Sequence, residues 1–189
     1  MRLFVALSIS AQVRESLVLL LSELRRADSK PRWVHPENLH VTLKFIGHIA
    51  DEALPTILGA LRKITAPSQI ALEFRGIGFF PNDRRPSVVW AGIQAAPELA
   101  ALASRVDQSL AREGLPRETR SFSPHLTLAR FKEPRMSEPL RALLAECTDL
   151  SFGNQITTEF HLMESKTKPS GAEYTTLHSF PFAAEGKHL

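Results

Sequence analysis

Hydrophobic residues along the chain follow two different periods, and the changes of period mark the secondary structure. An apolar run over residues 3–7 predicts a buried strand. Over residues 11–27 apolar side chains recur every three or four positions, which predicts an amphipathic helix with Ser10 as its N-cap. Lys30-Pro31 ends this helix, because proline disfavours the helical conformation in the residue before it.

Three further helices are predicted from the same spacing. One covers residues 51–64, with Asp51 as its N-cap. A longer one covers residues 97–113 and stops at Gly114, since glycine is the usual residue just beyond a helix C-terminus. A short fourth helix is expected over residues 140–147.

Segments of strand length separate these helices. The predicted strands cover residues 32–34, 39–46, 70–80, 87–93, 126–131, 156–164 and 174–182. Pro81-Asn82-Asp83 is a turn signal, so the strand after it is expected to return antiparallel to the one before it. The irregular order of helices and strands predicts an α+β fold with mixed or antiparallel sheets.

Two of these strands carry almost the same tetrapeptide. Residues 40–43 read His-Val-Thr-Leu and residues 125–128 read His-Leu-Thr-Leu. Side chains alternate between the two faces of a strand, so the histidine and threonine of each copy share one face and the apolar pair faces the core. One such tetrapeptide arises often by chance. Two copies in apolar strands predict that two imidazoles and two hydroxyls meet at one site.

Alternation also assigns faces to the residues that follow the tetrapeptides. Lys44 is expected on the face of His40 and Thr42, where it would add positive charge to the site. Arg130 is expected on the face of Leu128 if the strand stays regular. It reaches the site only if the strand bends or ends there.

Composition limits the class of protein. Hydrophobic residues make up 43% and charged residues 23% of the 189, as in a globular protein. We expect one domain over residues 1–189 with two related, pseudo-symmetric lobes, each supplying one of the two motif strands. The apolar run at 3–7 is too short for a signal sequence or a membrane span, and a single cysteine, Cys147, suits the reducing cytoplasm.

The net charge of +3 is compatible with an anionic substrate. Arg84 and Arg85 lie beside the predicted turn, where they are either a solvated pair or contacts to a phosphate backbone. The five histidines outside the tetrapeptides are expected at the surface, and their spacing does not suggest a zinc site.

Two histidines at one site can act as general base and general acid near neutral pH. One would remove a proton from water and the other would protonate a leaving alkoxide, on opposite sides of a phosphate. The threonine hydroxyls would donate to the non-bridging oxygens. This chemistry needs no metal.

The sequence around both tetrapeptides resembles the two-histidine phosphoesterase superfamily, and within it the bacterial and archaeal RNA 2′,3′-cyclic phosphodiesterases, historically called 2′-5′ RNA ligases. The similarity is carried by residues 32–47 (RWVHPENLHVTLKFIG) and 122–130 (FSPHLTLAR) and extends over nearly the whole chain. The resemblance implies a bilobal α+β fold with two sheets around a central cleft and helices outside.

The resemblance also implies a reaction, the hydrolysis of 2′,3′-cyclic phosphate at an RNA end to a 2′-phosphate, without metal or cofactor. It makes His40 the acid that protonates the departing 3′ oxygen and His125 the base that activates water. Thr42, Thr127 and Arg130 would bind the phosphate. Family resemblance and strand position make Phe45 and Lys44 candidate contacts to a base or to RNA.

Two other functions stay open at this point. The same residues in the reverse direction would give a 2′-5′ RNA ligase, and a non-catalytic protein could bind an RNA end or nucleotide with the same cleft. The expected partner is in every case RNA with a 2′,3′-cyclic phosphate or a small cyclic nucleotide. The protein is expected to act as a monomer.

Overall fold

A computed structural model describes residues 1–169 and 171–182. In this part of the chain there are nine strands: β1 (Arg2–Ser8), β2 (Arg32–Trp33), β3 (His40–His48), β4 (Ile70–Phe80), β5 (Val88–Ala95), β6 (His125–Arg130), β7 (Ser151–Thr157), β8 (Glu159–Lys168) and β9 (Gly171–Pro181). The four helices are α1 (Ala11–Ala27), α2 (Leu54–Arg62), α3 (Pro97–Arg112) and α4 (Glu138–Glu146). Short 3₁₀ turns precede β3 and α2.

The strands form two antiparallel sheets. The first sheet has the order β3-β1-β8-β9 and the second the order β2-β6-β5-β4-β7. Both tetrapeptides begin a strand: His40 starts β3 at one edge of the first sheet, and His125 starts β6, next to the short edge strand β2. The predicted α+β fold with antiparallel sheets is confirmed.

Each motif strand pairs with the strand that precedes it across a helix. In the first sheet β1 leads through α1 to β3, and in the second sheet β5 leads through α3 to β6. The helices are exchanged between the sheets, since α1 packs on β7 and α3 packs on β3. This exchange holds β3 and β6 close together. The division of residues 1–189 into two pseudo-symmetric lobes stays a prediction.

The side chains of strand β1 alternate between the core and the opposite face of the first sheet. Leu3, Val5 and Leu7 are fully buried in the core cluster beneath the helices. Phe4 and Ala6 point the opposite way, so they belong to the face that carries His40 and Thr42. Helix α1 covers the core with the predicted stripe of Val13, Leu17, Leu20, Leu21 and Leu24, and Ser10 caps it by accepting a 3.3 Å hydrogen bond from the Val13 N–H.

Two predicted elements differ from the structure. The strand predicted over 156–164 is two strands, because the chain leaves the second sheet at Thr157 and enters the first at Glu159. No glycine or proline marks this crossing. The predicted cap Asp51 lies in a 3₁₀ turn, and α2 begins at Leu54 without a side-chain cap; Asp51 instead accepts a 3.3 Å bond from the terminal ammonium of Met1.

Candidate active site

A β-bulge interrupts each motif strand directly after its threonine. In β3, Thr42 pairs with Ala6 and Lys44 with Val5, so Leu43 is an extra residue. In β6 the extra residue is Leu128, between Thr127 and Ala129. A bulge shifts the alternation of side chains by one position. The residues beyond each bulge therefore face opposite to what a regular strand predicts.

In β3 the bulge turns Lys44 into the interior and Phe45 outward. Lys44 is buried, and Phe45 is 59% exposed on the face of His40. The Phe45 ring lies 6.2 Å from the ring of Phe4, which itself contacts His40. The prediction that Lys44 shares the face of His40 is wrong, because that prediction assumed an unbroken strand.

In β6 the same bulge acts on Arg130. Ala129 is buried in the core, and Arg130 is exposed on the face of His125 and Thr127. A regular strand would have placed Arg130 with Leu128. The sequence predicted that Arg130 reaches the site only if the strand bends, and this bulge is that bend.

His40 is held by polar and aromatic contacts. Its Nδ1 lies 2.6 Å from the Asn38 carbonyl oxygen and its Nε2 lies 3.0 Å from Thr42 Oγ1. The rings of Phe4 and Tyr174 lie 4.8 Å and 5.2 Å from the imidazole, centroid to centroid. The Asn38 side chain donates a 2.6 Å hydrogen bond to the Ala172 carbonyl, which links the segment before His40 to β9.

His125 has a matching environment on the second sheet. Its Nδ1 lies 2.8 Å from the carbonyl oxygen of Ser123, again two residues before the histidine. The rings of Phe80 and Trp90 lie 4.9 Å and 6.2 Å away. The Trp90 indole lies directly against Gly78, where an added Cβ would come within 2.1 Å of it.

These carbonyl contacts fix the tautomer of both histidines. A carbonyl oxygen can only accept, so Nδ1 of His40 and of His125 carries a hydrogen and donates it. In the neutral imidazole Nε2 then has a free lone pair, to which the Thr42 hydroxyl donates in the first motif. Nε2 is therefore the atom of each histidine that can accept or release a proton.

Burial lowers the pKa of His40 below the ordinary 6.5, the Asn38 carbonyl raises it in part, and the charges of Arg130 and His125 lower it further. The pKa of His125 is lowered by burial, raised in part by the Ser123 carbonyl and lowered by Arg130. Arg130 thus acts on both histidines. The two imidazoles and this guanidinium form one electrostatic site between the sheets.

The buried Lys44 belongs to an ion-pair network behind the site. Its Nζ lies 2.6 Å from Asp107 Oδ1 on α3 and donates a 2.8 Å bond to the Pro116 carbonyl. Asp107 also accepts from the Glu118 N–H at 2.9 Å and pairs with Arg117 Nε at 2.7 Å. The network links β3 to the start of the segment that leads into His125.

The aromatic residues around the histidines were not expected from the sequence. Phe4, Phe80 and Tyr174 belong to strands with no motif, and only sheet pairing brings them to the site. His161, expected at the surface, is 7% exposed, with its Nδ1 2.9 Å from Ser179 Oγ. His188 lies outside the described residues.

Among residues 1–169 and 171–182, no group of three or more His, Cys, Asp or Glu side chains is placed to hold a metal ion. None of the helices described is both long and apolar enough to cross a membrane.

Relatives with curated names are similar over nearly the whole length of the chain. A protein of Archaeoglobus fulgidus named RNA 2′,3′-cyclic phosphodiesterase is 36% identical over 182 residues, covering 95% of this chain and 99% of the relative. A Thermus thermophilus protein of the same name is 35% identical over 195 residues, covering 98% and 92%.

Solved structures share the fold. Escherichia coli LigT in complex with 3′-AMP superposes with a TM-score of 0.79 at 27% identity, over 96% of this chain and 97% of that one. These similarities confirm the resemblance seen in the two motif blocks. A family model described as 2′-5′ RNA ligase superfamily matches residues 12–168, and the chain therefore belongs to that superfamily.

Proposed function

We propose that the protein hydrolyses the 2′,3′-cyclic phosphate at an RNA end to a 2′-phosphate, with His40 and His125 as general acid and general base. The observation that carries the proposal is the matched pair of histidines. Each donates through Nδ1 to the carbonyl two residues before it, and the positive charge of Arg130 acts on both. Relatives at 36% and 35% identity are named RNA 2′,3′-cyclic phosphodiesterase.

In the proposed reaction the cyclic phosphate binds between the two motif strands. Arg130 and the hydroxyls of Thr42 and Thr127 contact its non-bridging oxygens, where negative charge increases in the transition state. Nε2 of His125 takes a proton from water as the water oxygen bonds to phosphorus. Nε2 of His40 gives its proton to O3′ as the P–O3′ bond breaks on the opposite side. The product keeps its phosphate on O2′.

Phe45 supports binding of the terminal base. Its exposed ring lies on the face of His40, next to Phe4, and aromatic rings stack on bases without regard to sequence. Lys44 cannot make such a contact while it is buried against Asp107. The proposal therefore retains Phe45 and leaves Lys44 out.

The proposal also covers the location of the protein, its oligomeric state and its need for a cofactor. We place the protein in the cytoplasm as a monomer that needs no cofactor, and the one cysteine, buried at 147, suits a reducing compartment. The same histidines would catalyse the reverse reaction, joining RNA ends through a 2′-5′ linkage. In dilute aqueous solution water is the abundant nucleophile, so hydrolysis is the expected direction.

The position of the product phosphate tests the proposed function. We expect an oligoribonucleotide with a terminal 2′,3′-cyclic phosphate to be converted to a 2′-phosphate in the presence of EDTA, as read by ³¹P NMR. A 3′-phosphate would overturn the assignment of O3′ as the leaving group. A joined RNA product would favour the ligase, and binding without turnover would favour a non-catalytic protein.

The pH dependence of kcat/KM follows from the lowered pKa values. The productive free enzyme has one neutral and one protonated histidine, so its fraction peaks between the two pKa values. Both are lowered from the ordinary 6.5, so we expect a bell-shaped profile with its maximum below pH 6.5. On the alkaline side kcat/KM should fall about tenfold per pH unit as the acid loses its proton.

An arginine variant tests the cause of this profile. Arg130→Gln removes a positive charge that lowers the pKa of both histidines, so the alkaline limb should move to higher pH while kcat/KM falls. Arg112→Gln, an exposed position at the end of α3, is the control and should leave the profile in place. An alkaline limb centred above pH 7.5 in the unaltered protein would contradict the assignment.

A further inference from the structure

We propose that Arg84 and Arg85, here called the arginine surface, bind the phosphodiester backbone of RNA on the 5′ side of the reacting end. The preferred substrate is then the end of a single-stranded RNA chain and not a free cyclic mononucleotide. This inference rests on the proposed function, because it extends the RNA from the cyclic phosphate bound at Arg130.

Sheet register places Arg32 directly beside the reacting site. Arg32 on β2 pairs with Arg130 on β6, and Arg130 pairs with Val88 on β5. Val88 in turn pairs with Phe80 at the end of β4. Directly paired residues point to the same face, and neighbouring strands lie about 5 Å apart. Arg32, Arg130, Val88 and Phe80 thus form one row on the face that carries His125.

The other two arginines lie on the connection that follows this row. Asn82 Oδ1 accepts hydrogen bonds from the N–H groups of Arg84 at 3.1 Å and Arg85 at 3.0 Å. The Ser87 N–H donates to the Phe80 carbonyl at 2.7 Å, which closes the connection between β4 and β5. The backbone is therefore held in a fixed turn while both arginine side chains are exposed. Arg84 and Arg85 thus lie in the turn directly beyond Phe80, at the opposite end of the row from Arg32.

The charge of this surface is not neutralised by the protein. Within residues 1–169 and 171–182, none of Arg32, Arg84, Arg85 and Arg130 forms an ion pair with a carboxylate. Asp83, the neighbouring acid, lies 3.9 Å from Arg141. Like charges on directly opposite strand positions, as at Arg32 and Arg130, destabilise a sheet. An anion bound across them would remove that repulsion.

An aromatic ring lies between His125 and the turn that carries Arg84 and Arg85. Phe80, half-buried at the end of the row, has its ring 4.9 Å from His125 and 5.3 Å from Trp90. Proteins that bind single-stranded nucleic acid combine a basic path for the backbone with aromatic rings on which bases stack. The row has both features and is continuous with Arg130, so the polyanion that fits it is the RNA whose end reacts.

Kinetics on two substrates test this surface. The substrates are 2′,3′-cyclic AMP and an eight-nucleotide RNA that ends in the same cyclic nucleotide. We expect Arg84→Ala/Arg85→Ala to lower the ratio of kcat/KM for the RNA to that for the mononucleotide by at least about tenfold. The negative slope of log kcat/KM for the RNA against log salt should become shallower by about 1.4, since each contact to single-stranded nucleic acid contributes about −0.7.

A matched control removes the same charge elsewhere. Arg62→Ala/Arg112→Ala replaces two exposed arginines at the ends of α2 and α3 and should leave the ratio within twofold. An unchanged ratio in the Arg84→Ala/Arg85→Ala variant, or an equal fall in the control, would overturn the proposal that the arginine surface binds RNA.

A binding measurement separates this proposal from the proposed function. If neither substrate is hydrolysed, the proposed function fails, and fluorescence anisotropy with an eight-nucleotide RNA ending in a 2′-phosphate still measures the surface. The Arg84→Ala/Arg85→Ala variant should then bind at least about tenfold more weakly than the unaltered protein. Equal affinity would overturn the proposal whether or not the protein is a hydrolase.

Discussion

Replacing either His40 or His125 with alanine should lower kcat for hydrolysis of a 2′,3′-cyclic phosphate by about 10²- to 10⁴-fold, the usual contribution of one general acid or base. Each histidine moves one proton in the same displacement at phosphorus. The double variant should therefore lose little more than the slower single variant, because residues that act as a unit are not additive. KM should change much less, since Arg130 and the threonines still bind the phosphate.

Initial rates measured in EDTA, together with thermal melts by circular dichroism, check this result. His48→Ala is the matched control, because His48 lies at the exposed far end of β3. It should keep full activity and the same Tm. Full activity in His40→Ala or in His125→Ala, with the fold intact, would rule out acid–base catalysis by the histidine pair.

The second large effect concerns stability. Asp107→Ala should reduce the free energy of unfolding by about 3–5 kcal/mol, because it leaves the buried Lys44 ammonium with only the Pro116 carbonyl as a partner. For a protein of this size that corresponds to a fall in Tm of roughly 10 °C. Urea and thermal unfolding of the variant measure both quantities.

Two further variants show whether the buried charge is the cause. Lys44→Met/Asp107→Leu replaces the pair with apolar side chains and should recover most of the lost stability. Arg120→Ala breaks an exposed pair with Glu118 and should cost less than about 1 kcal/mol. A double variant as unstable as Asp107→Ala would show that the buried charge is not what destabilises the protein.

The Lys44–Asp107 pair makes the free energy of unfolding depend on pH in the acid range. Burial raises the pKa of Asp107, but the hydrogen bonds from Lys44 and the Glu118 N–H outweigh it and hold the pKa below the ordinary 3.8. A carboxyl whose pKa is lower in the folded state stabilises the fold above its unfolded pKa. That contribution is complete above about pH 5 and is lost as the pH falls through the lowered value.

Much of the fold could be predicted because local signals agreed with the tertiary structure. Helix α1 has a serine cap and a buried stripe at helical spacing, and α3 ends before Gly114, whose φ of +87° suits glycine. The shared face of His40 and Thr42 needs only three residues of regular strand. Both predictions depend on neighbours in sequence, which periodicity describes well.

The prediction for Lys44 failed, and the position of Arg130 stayed conditional, because both depend on pairing between distant strands. A strand period of two cannot place either residue, since the bulges at Leu43 and Leu128 arise from the register with β1 and β5. In β6 the consecutive apolar residues Leu128 and Ala129 already break the alternation. In β3 the charge of Lys44 conceals the same break, since its buried partner, Asp107, lies far away in sequence.

The paired bulges also separate positions where a substitution alters the core from positions where it does not. Positions 44 and 129 both face the interior, so a new side chain there alters packing. Positions 45 and 130 lie on the faces of His40 and His125, and they carry a phenylalanine and an arginine that are exposed. A substitution at 45 or 130 should therefore have little effect on folding, although a change at 130 removes the charge proposed to bind the phosphate. In β3 the extra residue thus allows the side chain proposed to contact the base to change without altering the core.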